Sequence, residues 1–289
     1  MHVLVHGGAG GAPREPAARQ KVLDEAVSDG LEAATPIEAV KAAVRCLEDS
    51  PRFNAGTGGT IQSDGIYRSD AGIMTDDGSI GAVCNLTGIR HPVDLADSVR
   101  TELPHIFLGP AGAMAFAEHL GIDTGYDLST DRLTERFEAE GVPADFAGQL
   151  RFISERFDAP RPSDDLDTVG AVATDGETLA AATSTGGRWL ALRGRIGDVP
   201  QVGCGYYASP AGAVSTTGNG EAIAQVTLAR LVERQLERGH EVQQAVTEAM
   251  ATFERETDAT AGVIAITAAG EIGSAYNSAR MQTAAGSRR

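Results

Sequence analysis

A single threonine, Thr168, stands at the head of an apolar, strand-like run, VGAVA (169–173), and directly follows an acidic, proline-containing segment, 160–167. A buried strand explains the apolar run but does not need a hydroxyl at its first position. A chain that cuts itself before Thr168 does need one, because the new terminus would carry a hydroxyl nucleophile and a free α-amine on one residue. An α-amine titrates near ~7.7–8.0, so it can accept the hydroxyl proton close to neutral pH. Taken alone, the segment also fits a plain buried strand.

The size and composition indicate an ordinary globular protein. A chain of 289 residues suffices for one large domain or two small ones, and 42% hydrophobic with 22% charged residues is typical of a soluble fold. The 35 glycines cluster in short motifs and form no repeat. Clustered glycines favour tight turns and close backbone approaches, as in a site built from loops.

The charge balance argues against a nucleic-acid partner. The formal net charge is −16, from 40 acidic and 24 basic residues, and only Lys21 and Lys41 of the basic residues are lysines, leaving 22 arginines. A basic patch could not outweigh such a field, so binding to nucleic acid is not expected. Excess acid with scarce lysine is typical of a protein that stays solvated in high salt, so we predict a halophilic source. An acidic cytosolic protein is the alternative.

The three cysteines, Cys46, Cys84 and Cys204, lie far apart, without a CxxC pair or a histidine at ligand spacing. This pattern predicts reduced thiols and no zinc site. The first residues lack the basic region of a signal peptide, and the sequence contains no apolar run of the roughly 18 residues that a membrane-spanning helix needs. We therefore expect a cytoplasmic protein without membrane partners.

Hydrophobic spacing and turn signals outline the elements. The predicted helices cover 14–33, 36–47, 92–103, 111–120, 131–140, 221–237 and 240–254. The predicted strands cover 2–5, 60–69, 79–86, 169–173, 178–184, 262–267 and 271–276. Between 121 and 167 the sequence is polar and irregular apart from one helix, and its last part, about 142–167, is the best linker candidate. The order of helices and strands predicts an α+β fold with sheets inside two helical layers.

Two glycine-bounded motifs carry groups suited to catalysis and binding. In TSTGG (183–187), Thr185 could hydrogen-bond the nucleophile, and Gly187 would let a substrate approach the backbone; a plain strand end and turn is the alternative. In GRIGD (194–198), Arg195 could hold an α-carboxylate in a fork while Asp198 receives an α-ammonium. An exposed ion pair is the alternative for that spacing.

A third motif, STTGNGE (215–221), runs into a predicted helix. The hydroxyl of Thr217 and the N–H of Gly218 would be suitable donors to an oxyanion at a helix N-terminus. As structure alone, the motif is a strand end with a helix cap. The glycine loop HGGAG (6–10) could be a phosphate loop, but it has neither the dinucleotide spacing nor the P-loop lysine.

Together these segments resemble the plant-type L-asparaginases and isoaspartyl peptidases, which are N-terminal-nucleophile hydrolases. The resemblance covers nearly the whole chain. The motifs that carry it are HGGAG (6–10), FNAGTG (53–58), DTVGAVA (167–173), ATSTGG (182–187), GRIGD (194–198), GCGYYA (203–208), STTGNGE (215–221) and, less well, AYNSARM (275–281). Any one of them could arise by chance, but their joint order and spacing are highly specific.

The resemblance implies a four-layer αββα sandwich, one domain over 1–289, made as an inactive precursor. Cleavage between Asp167 and Thr168 would give an α chain (1–167) and a β chain (168–289), through attack of the Thr168 hydroxyl on the Asp167 carbonyl and an N-to-O acyl shift. Members of the family assemble as dimers of αβ units, which is the expectation here. The substrate would be small: L-asparagine, or a β-aspartyl dipeptide.

The resemblance also assigns roles residue by residue. The catalytic group would consist of Thr168, Thr185, Thr217, Gly218 and Asn54. Substrate binding would fall to Arg195, Asp198, Gly187 and Gly218. A structural sodium ion would be held by main-chain carbonyls of Leu47, Glu48, Ser50, Phe53, Ala55 and Thr57. Apart from this ion, we expect no cofactor. Thr168 would be the nucleophile in both cleavage and turnover, with its freed amine as base.

Several alternatives and departures stay open. Asparagine and β-aspartyl dipeptides present the same α-carboxylate and α-ammonium, so the preference between them is not fixed. A glycosylasparaginase-like amidase, a protein-cleaving threonine aspartase and a non-catalytic amino-acid-binding homologue that never matures are the other hypotheses. Leu166 stands where relatives carry histidine or glycine, which leaves the maturation rate open. Tyr276 and Arg280 depart from the family's FNTxGM motif, and the arginine would reshape the dipeptide-binding side.

Overall fold

Two β-sheets lie between two layers of helices in the computed structural model, which describes residues 1–157 and 168–288. The strands are β1 (His2–Gly10), β2 (Ser69–Thr75), β3 (Ile80–Leu86), β4 (Phe107–Leu108), β5 (Val169–Thr174), β6 (Leu179–Thr185), β7 (Tyr206–Ser209), β8 (Gly212–Gly218), β9 (Ala261–Ile266), β10 (Ile272–Tyr276) and β11 (Arg280–Ser287). The helices are α1 (Pro16–Glu32), α2 (Pro36–Glu48), α3 (Pro92–Glu102), α4 (Pro110–His119), α5 (Asp131–Glu140), α6 (Phe146–Phe157), α7 (Gly220–Val226), α8 (Leu228–Glu237) and α9 (Val242–Glu256).

The larger sheet has seven strands in the order β11-β1-β5-β6-β2-β3-β4, and the smaller has four in the order β10-β9-β8-β7. Neighbouring strands are antiparallel apart from β3 and β4. In the central hairpin Val169 pairs with Ser184, which brings the start of β5 beside the end of β6. Strand β1 pairs with β5 on its other side, with His6 opposite Gly170.

Three apolar cores separate the layers. One packs the larger sheet against α1, α2 and α3, and another packs the smaller sheet against α8 and α9. The third lies between the two sheets, where Tyr206 is completely buried. Gly72 permits this contact, because a Cβ at that position would lie 1.9 Å from the Tyr206 ring. The predicted αββα architecture is confirmed.

Local signals account for several elements. Thr35 caps α2: its Oγ1 accepts a hydrogen bond from the Glu38 N–H at 3.4 Å and donates to the Glu38 carboxylate at 3.0 Å. Pro36 occupies the first turn, where its missing N–H costs nothing. Helix α5 has the bounds that its spacing predicts.

The prediction of a strand over 60–69 is wrong. Only an isolated bridge joins Ile61 to Tyr67, and β2 begins at Ser69. The intervening residues form a turn in which both carboxylate oxygens of Asp64 accept hydrogen bonds from Arg68 at 2.8 Å. The chain turns at Gly65, where φ is 80° and the N–H donates to the Gln62 carbonyl at 3.0 Å, and the fork closes this turn.

Two further predictions need correction. The single helix predicted over 221–237 is two helices, because Thr227 adopts a left-handed conformation with φ of 51° between α7 and α8. Helix α6 occupies part of the predicted linker 142–167 and was not expected; residues 158–167 of that linker lie outside the described residues. In the described part of the chain, no helix combines the length and apolar character required to cross a membrane.

Candidate active site

Four strand ends meet at one end of the sandwich, and their side chains form two successive layers. The inner layer contains His6, Gly170, Thr183 and Ser215. Gly170 pairs with His6 and with Thr183 in the larger sheet, and a Cβ on it would lie 2.0 Å from the Ser215 hydroxyl of the smaller sheet. The two sheets therefore face each other closely at this level.

The outer layer lies about two residues further towards the strand ends and contains Thr168, Thr185 and Thr217. The Thr168 Oγ1 donates a hydrogen bond to the Thr185 Oγ1 at 3.1 Å. Thr217 receives a 3.3 Å hydrogen bond on its Oγ1 from the N–H of Ala9, which follows His6 across a bulge in β1. All three threonines are buried, with Thr168 only 7% exposed. The motifs that predicted a nucleophile, its partner and an oxyanion donor thus lie together.

Thr185 is suited to support a nucleophile. Its oxygen accepts a second hydrogen bond, from the Gly187 N–H at 3.1 Å, and it keeps its own proton. When Thr168 loses its proton, that Thr185 proton can turn towards the negative oxygen. The arrangement favours the ionised form of the Thr168 hydroxyl.

Asn54 fixes the turn that follows Thr185. Its Nδ2 donates to the Gly187 carbonyl at 2.6 Å, and its Oδ1 accepts from the Thr60 N–H at 2.8 Å. The Gly186 N–H donates to the Asn54 carbonyl at 2.9 Å. These bonds join a loop early in the chain to the end of β6 and hold the turn beside Thr185 in place.

Gly218 sits where only glycine fits. Its φ is 134°, and a Cβ there would lie 2.5 Å from the Thr260 carbonyl oxygen. The next residue, Asn219, caps helix α7 through a 3.1 Å hydrogen bond from the Ala222 N–H to its Oδ1. Thr217 and Gly218 therefore lie just before a helix N-terminus, which stabilises negative charge.

Below the threonines, the inner layer forms a buried hydrogen-bonded chain. His6 Nε2 lies 2.9 Å from the Ser215 Oγ, which lies 2.7 Å from the Thr183 Oγ1. Burial lowers the pKa of His6 to about 3, although the backbone of Thr168 acts in the opposite direction. The imidazole is therefore neutral beneath the nucleophile. Sequence reasoning treated His6 only as part of a glycine loop.

Arg195 and Asp198 lie beside each other, as the binding hypothesis requires. A Cβ on Gly220 would lie 2.7 Å from both the Arg195 Nη2 and the Asp198 Oδ1, so the absence of a side chain there makes room for both charges. The guanidinium also borders the turn after Thr185, because a Cβ on Gly187 would lie 3.9 Å from its Nη1.

A partner for Arg195 was not foreseen. Its Nε and Nη2 donate to the two carboxylate oxygens of Glu221, each at 2.8 Å. Burial tends to raise the pKa of Glu221, but this fork lowers it overall, so the glutamate is ionised. Glu221 thus occupies the Nε and Nη2 edge of the guanidinium, while Nη1 faces the turn after Thr185. The sequence signal was available, because Glu221 ends the STTGNGE motif.

Asp198 has an unusual titration. Burial raises its pKa to about 6, although the charge of Arg195 acts to lower it. Its Oδ2 accepts a long hydrogen bond from the Thr216 hydroxyl at 3.4 Å. A carboxylate with so few partners has the capacity to bind an incoming ammonium group.

A polar framework supports the loop that carries Arg195. The Gly194 N–H donates to the Gln62 Oε1 at 2.8 Å, and the Asn85 Nδ2 donates to the Gly194 carbonyl at 3.3 Å. Asp70, whose pKa burial raises to about 6, accepts a 2.7 Å hydrogen bond from the Asn85 N–H. Sequence analysis missed these residues, because their partners are main-chain groups distant in sequence.

The other predicted positions are placed as follows. Asp167, the residue before the expected cut, lies outside the described residues. The segment 47–57 folds back on itself, since the Thr57 N–H donates to the Glu48 carbonyl at 2.8 Å. No group of three or more His, Cys, Asp or Glu side chains suited to a metal ion occurs among the described residues.

Comparisons with known proteins agree with the motifs. A family model described as Asparaginase matches residues 1–289. The chain is similar to the isoaspartyl peptidase/L-asparaginase of Bos taurus, with 38% identity over 295 residues, 98% of this chain and 92% of that protein. The protein of the same name from Rattus norvegicus is 38% identical over 98% of this chain and 85% of its own length. The plant-type L-asparaginase of Pyrococcus horikoshii is 34% identical over 98% of this chain and 95% of its own.

Proposed function

The chain belongs to the asparaginase family, and from that premise we propose that it hydrolyses the side-chain amide of L-asparagine and the isopeptide bond of β-aspartyl dipeptides, releasing L-aspartate. The observation that carries the proposal is the layer formed by Thr168, Thr185 and Thr217 at the meeting point of both sheets. A binding protein would not need three hydroxyls there. A glycosylated asparagine or a protein substrate is not favoured by any contact in this layer.

In the proposed mechanism, Thr168 becomes N-terminal by self-cleavage, and its amine takes the proton of its own hydroxyl. The Oγ1 attacks the side-chain carbonyl of the substrate while Thr185 stabilises the charge on it. Thr217 and the Gly218 N–H stabilise the oxyanion of the tetrahedral intermediate. The ammonia or amino acid leaves with a proton from the amine. Water then attacks the acyl-enzyme and releases aspartate.

Substrate recognition follows from the charges beside this layer. Asp198 receives the α-ammonium, and Arg195 receives the α-carboxylate. We propose that the substrate carboxylate competes for Arg195 with Glu221, which holds its Nε and Nη2. Glycine at 187 and 220 leaves space for the substrate next to the guanidinium.

A structural sodium ion in segment 47–57 is also part of the proposal. Hard cations take oxygen ligands, and the segment offers them as main-chain carbonyls. Within the described residues, no donor reaches the carbonyls of Phe53, Ala55 or Thr57, which fits such a ligand set. The ion would bind these carbonyls together with those of Leu47, Glu48 and Ser50, and it would stiffen the segment that ends at Asn54. Assembly as a dimer of αβ units is proposed from the family resemblance alone.

The function can be tested by replacing Thr185. The matured protein is incubated with L-asparagine and with a β-aspartyl dipeptide, and released aspartate is measured per cleaved chain. Thr185→Val keeps the shape but removes the hydroxyl, so we expect turnover to fall by about 10²–10³-fold, the typical effect of losing one transition-state hydrogen-bond donor. Thr185→Ser keeps the hydroxyl and should stay within about tenfold of the parent.

Two results would refute the proposal. One is a matured parent protein that releases aspartate from neither substrate. The other is a Thr185→Val variant with undiminished turnover. If asparagine bound without being hydrolysed, the amino-acid-binding hypothesis would replace the hydrolase.

A further inference from the structure

A pocket rich in arginine adjoins the candidate active site. It has a volume of about 670 Å³, within the usual range for small-molecule sites. Its charged lining consists of Arg14, Arg19, Arg52, Arg132, Arg136 and Glu15. Five of the 22 arginines of a chain with a net charge of −16 thus gather around one cavity. Such a local reversal of charge suits an anionic ligand.

The pocket walls continue two segments of the site itself. Gly11, in the lining, comes two residues after Ala9, which donates to Thr217. Arg52 comes two residues before Asn54. Because two residues span at most about 7 Å of extended chain, the pocket lining begins within that distance of Ala9 and of Asn54. Arg195 and Asp198 are not among its lining residues.

Two of the arginines are fixed by contacts within the protein. Arg19 is 5% exposed, donates to the Gly7 carbonyl at 2.7 Å and stacks over the Phe53 ring at 4.5 Å. Arg136 stacks over the Trp189 ring at 4.3 Å. These contacts hold positive charge in place before any ligand arrives, which lowers the entropic cost of binding.

Two other arginines of the lining are not paired with a carboxylate of the described residues. Among the described residues of the lining, Glu15 is the only acidic one, and it lies 3.6 Å from Arg52. Within the described residues, Arg14 and Arg132 have no acidic partner, and both are exposed. Arg132 also stands one helical turn from Arg136, a like-charge spacing that weakens a helix.

Further features extend the positive region. Helix α1 begins at Pro16 beside the pocket, has no acidic residue in its first turn and has no side-chain cap from Glu15. Its N-terminus therefore adds partial positive charge. Arg280, which departs from the family motif, lies opposite Gly10 in the strand register, next to Gly11 of the lining.

We propose that this arginine pocket binds the carboxylates of the leaving amino acid and gives the enzyme a preference for β-aspartyl dipeptides with an acidic second residue. The inference rests on the proposed function. The aspartyl half of the substrate is held by Arg195 and Asp198, and the leaving amino acid extends past Thr168 towards Arg14 and Arg132. Asparagine releases only ammonia, so it gains nothing from the pocket.

The test compares β-aspartyl-glutamate with β-aspartyl-glutamine, which match in shape and differ in one charge. We expect the parent to favour the glutamate dipeptide by about tenfold or more in kcat/KM, the value of one hydrogen bond to a charged group. In the double variant Arg14→Gln/Arg132→Gln, the ratio should fall to about twofold or less, since the acidic side chain loses its partners. The kcat/KM of this double variant for asparagine should equal that of the parent.

A charge-matched control excludes a general electrostatic effect. Arg234→Gln/Arg238→Gln removes two exposed arginines, one in α8 and one directly after it, both outside the pocket lining, and should keep the parent's ratio. A lysine pair, Arg14→Lys/Arg132→Lys, should keep most of the preference. Equal kcat/KM for the two dipeptides in the parent would refute the proposed role of the pocket, and so would an unchanged ratio in the glutamine double variant. If asparagine were still hydrolysed, the proposed function would be unaffected by either result. Absence of all hydrolysis in the matured parent would overturn both.

Discussion

At the scale of single residues, the site depends on what a threonine gains by becoming N-terminal. In the uncut chain the nitrogen of Thr168 belongs to a peptide bond and cannot accept a proton. Its hydroxyl is already placed, with Thr185 at 3.1 Å and a neutral, buried His6 below. The proposed cleavage would therefore supply the one group that is missing, a base on Thr168 itself. It would also explain how a precursor can be inert while its side chains are assembled.

Asp198 gives the site a testable pH dependence. Its pKa of about 6 means that the carboxylate is ionised above pH 6 and neutral below it, where it can no longer attract an ammonium group. We expect kcat/KM for asparagine, divided by that for succinamic acid, to fall by about tenfold per pH unit below pH 6. The ratio cancels the titration of the Thr168 amine, which both substrates share, since succinamic acid lacks only the α-ammonium.

The Asp198→Asn variant is the control for that profile. Its asparagine-to-succinamic acid ratio should be low and independent of pH between 5 and 8. A parent ratio that stays flat through pH 6 would mean that Asp198 does not bind the ammonium group.

At the scale of elements, helix α7 links the proposed oxyanion donors, Thr217 and Gly218, to the proposed binding residue Arg195. It begins just after Gly218, and Glu221 in its first turn holds Arg195. Replacing this glutamate by glutamine should weaken the internal pair, so asparagine would compete more easily for Arg195. We expect KM to fall by roughly two- to fivefold with kcat unchanged, the range for a half-exposed ion pair. A rise in KM would show instead that Glu221 holds Arg195 in its binding position.

The break between α7 and α8 predicts a stabilising substitution. Thr227 is exposed and has a φ of 51°, a conformation that glycine adopts without steric cost. Thr227→Gly should raise the free energy of unfolding by about 0.5–1 kcal/mol in urea titrations. The matched change Thr247→Gly, at an exposed position inside α9, should lower it by a few tenths of a kcal/mol. Equal losses in both variants would contradict the strain at Thr227.

Elements with local signals could be predicted from sequence, and those shaped by distant partners could not. The cap and proline at Thr35 and Pro36 marked the start of α2, and the hairpin turn marked β5 and β6. The spacing of apolar residues continues through Thr227, so it gave no sign of the break there. Residues 60–69 look extended, but the fork between Arg68 and Asp64 folds them into a turn.

In the candidate site too, residues in local motifs could be predicted from sequence, and those with distant partners could not. Hydroxyls and charges in compact motifs were identified, and the fold brings Thr168, Thr185 and Thr217 into one layer. Asp70 and Asn85 act on backbone groups far away in the chain, such as the Gly194 carbonyl, and leave no pattern of their own. Glu221 could have been identified from its motif, but only the fold shows that Arg195 is its partner.

At the scale of the whole molecule, the sheet order would keep the two pieces together after the proposed cleavage. In the larger sheet, β1 from the proposed α chain lies between β11 and β5 of the proposed β chain, and β6 pairs with β2 of the α chain. A cut before Thr168 would therefore leave both pieces joined by main-chain hydrogen bonds and shared apolar cores. A halophilic origin, suggested by the net charge of −16, stays a prediction.

The central claim is that Thr168 becomes N-terminal by self-cleavage, and the most direct test is the intact mass of the purified protein under denaturing conditions, after incubation in high salt. We expect two species from the parent, corresponding to 1–167 and 168–289, and a single full-length species from Thr168→Ala. A full-length parent that persists for days while hydrolysing asparagine, or a cut at any other bond, would contradict it.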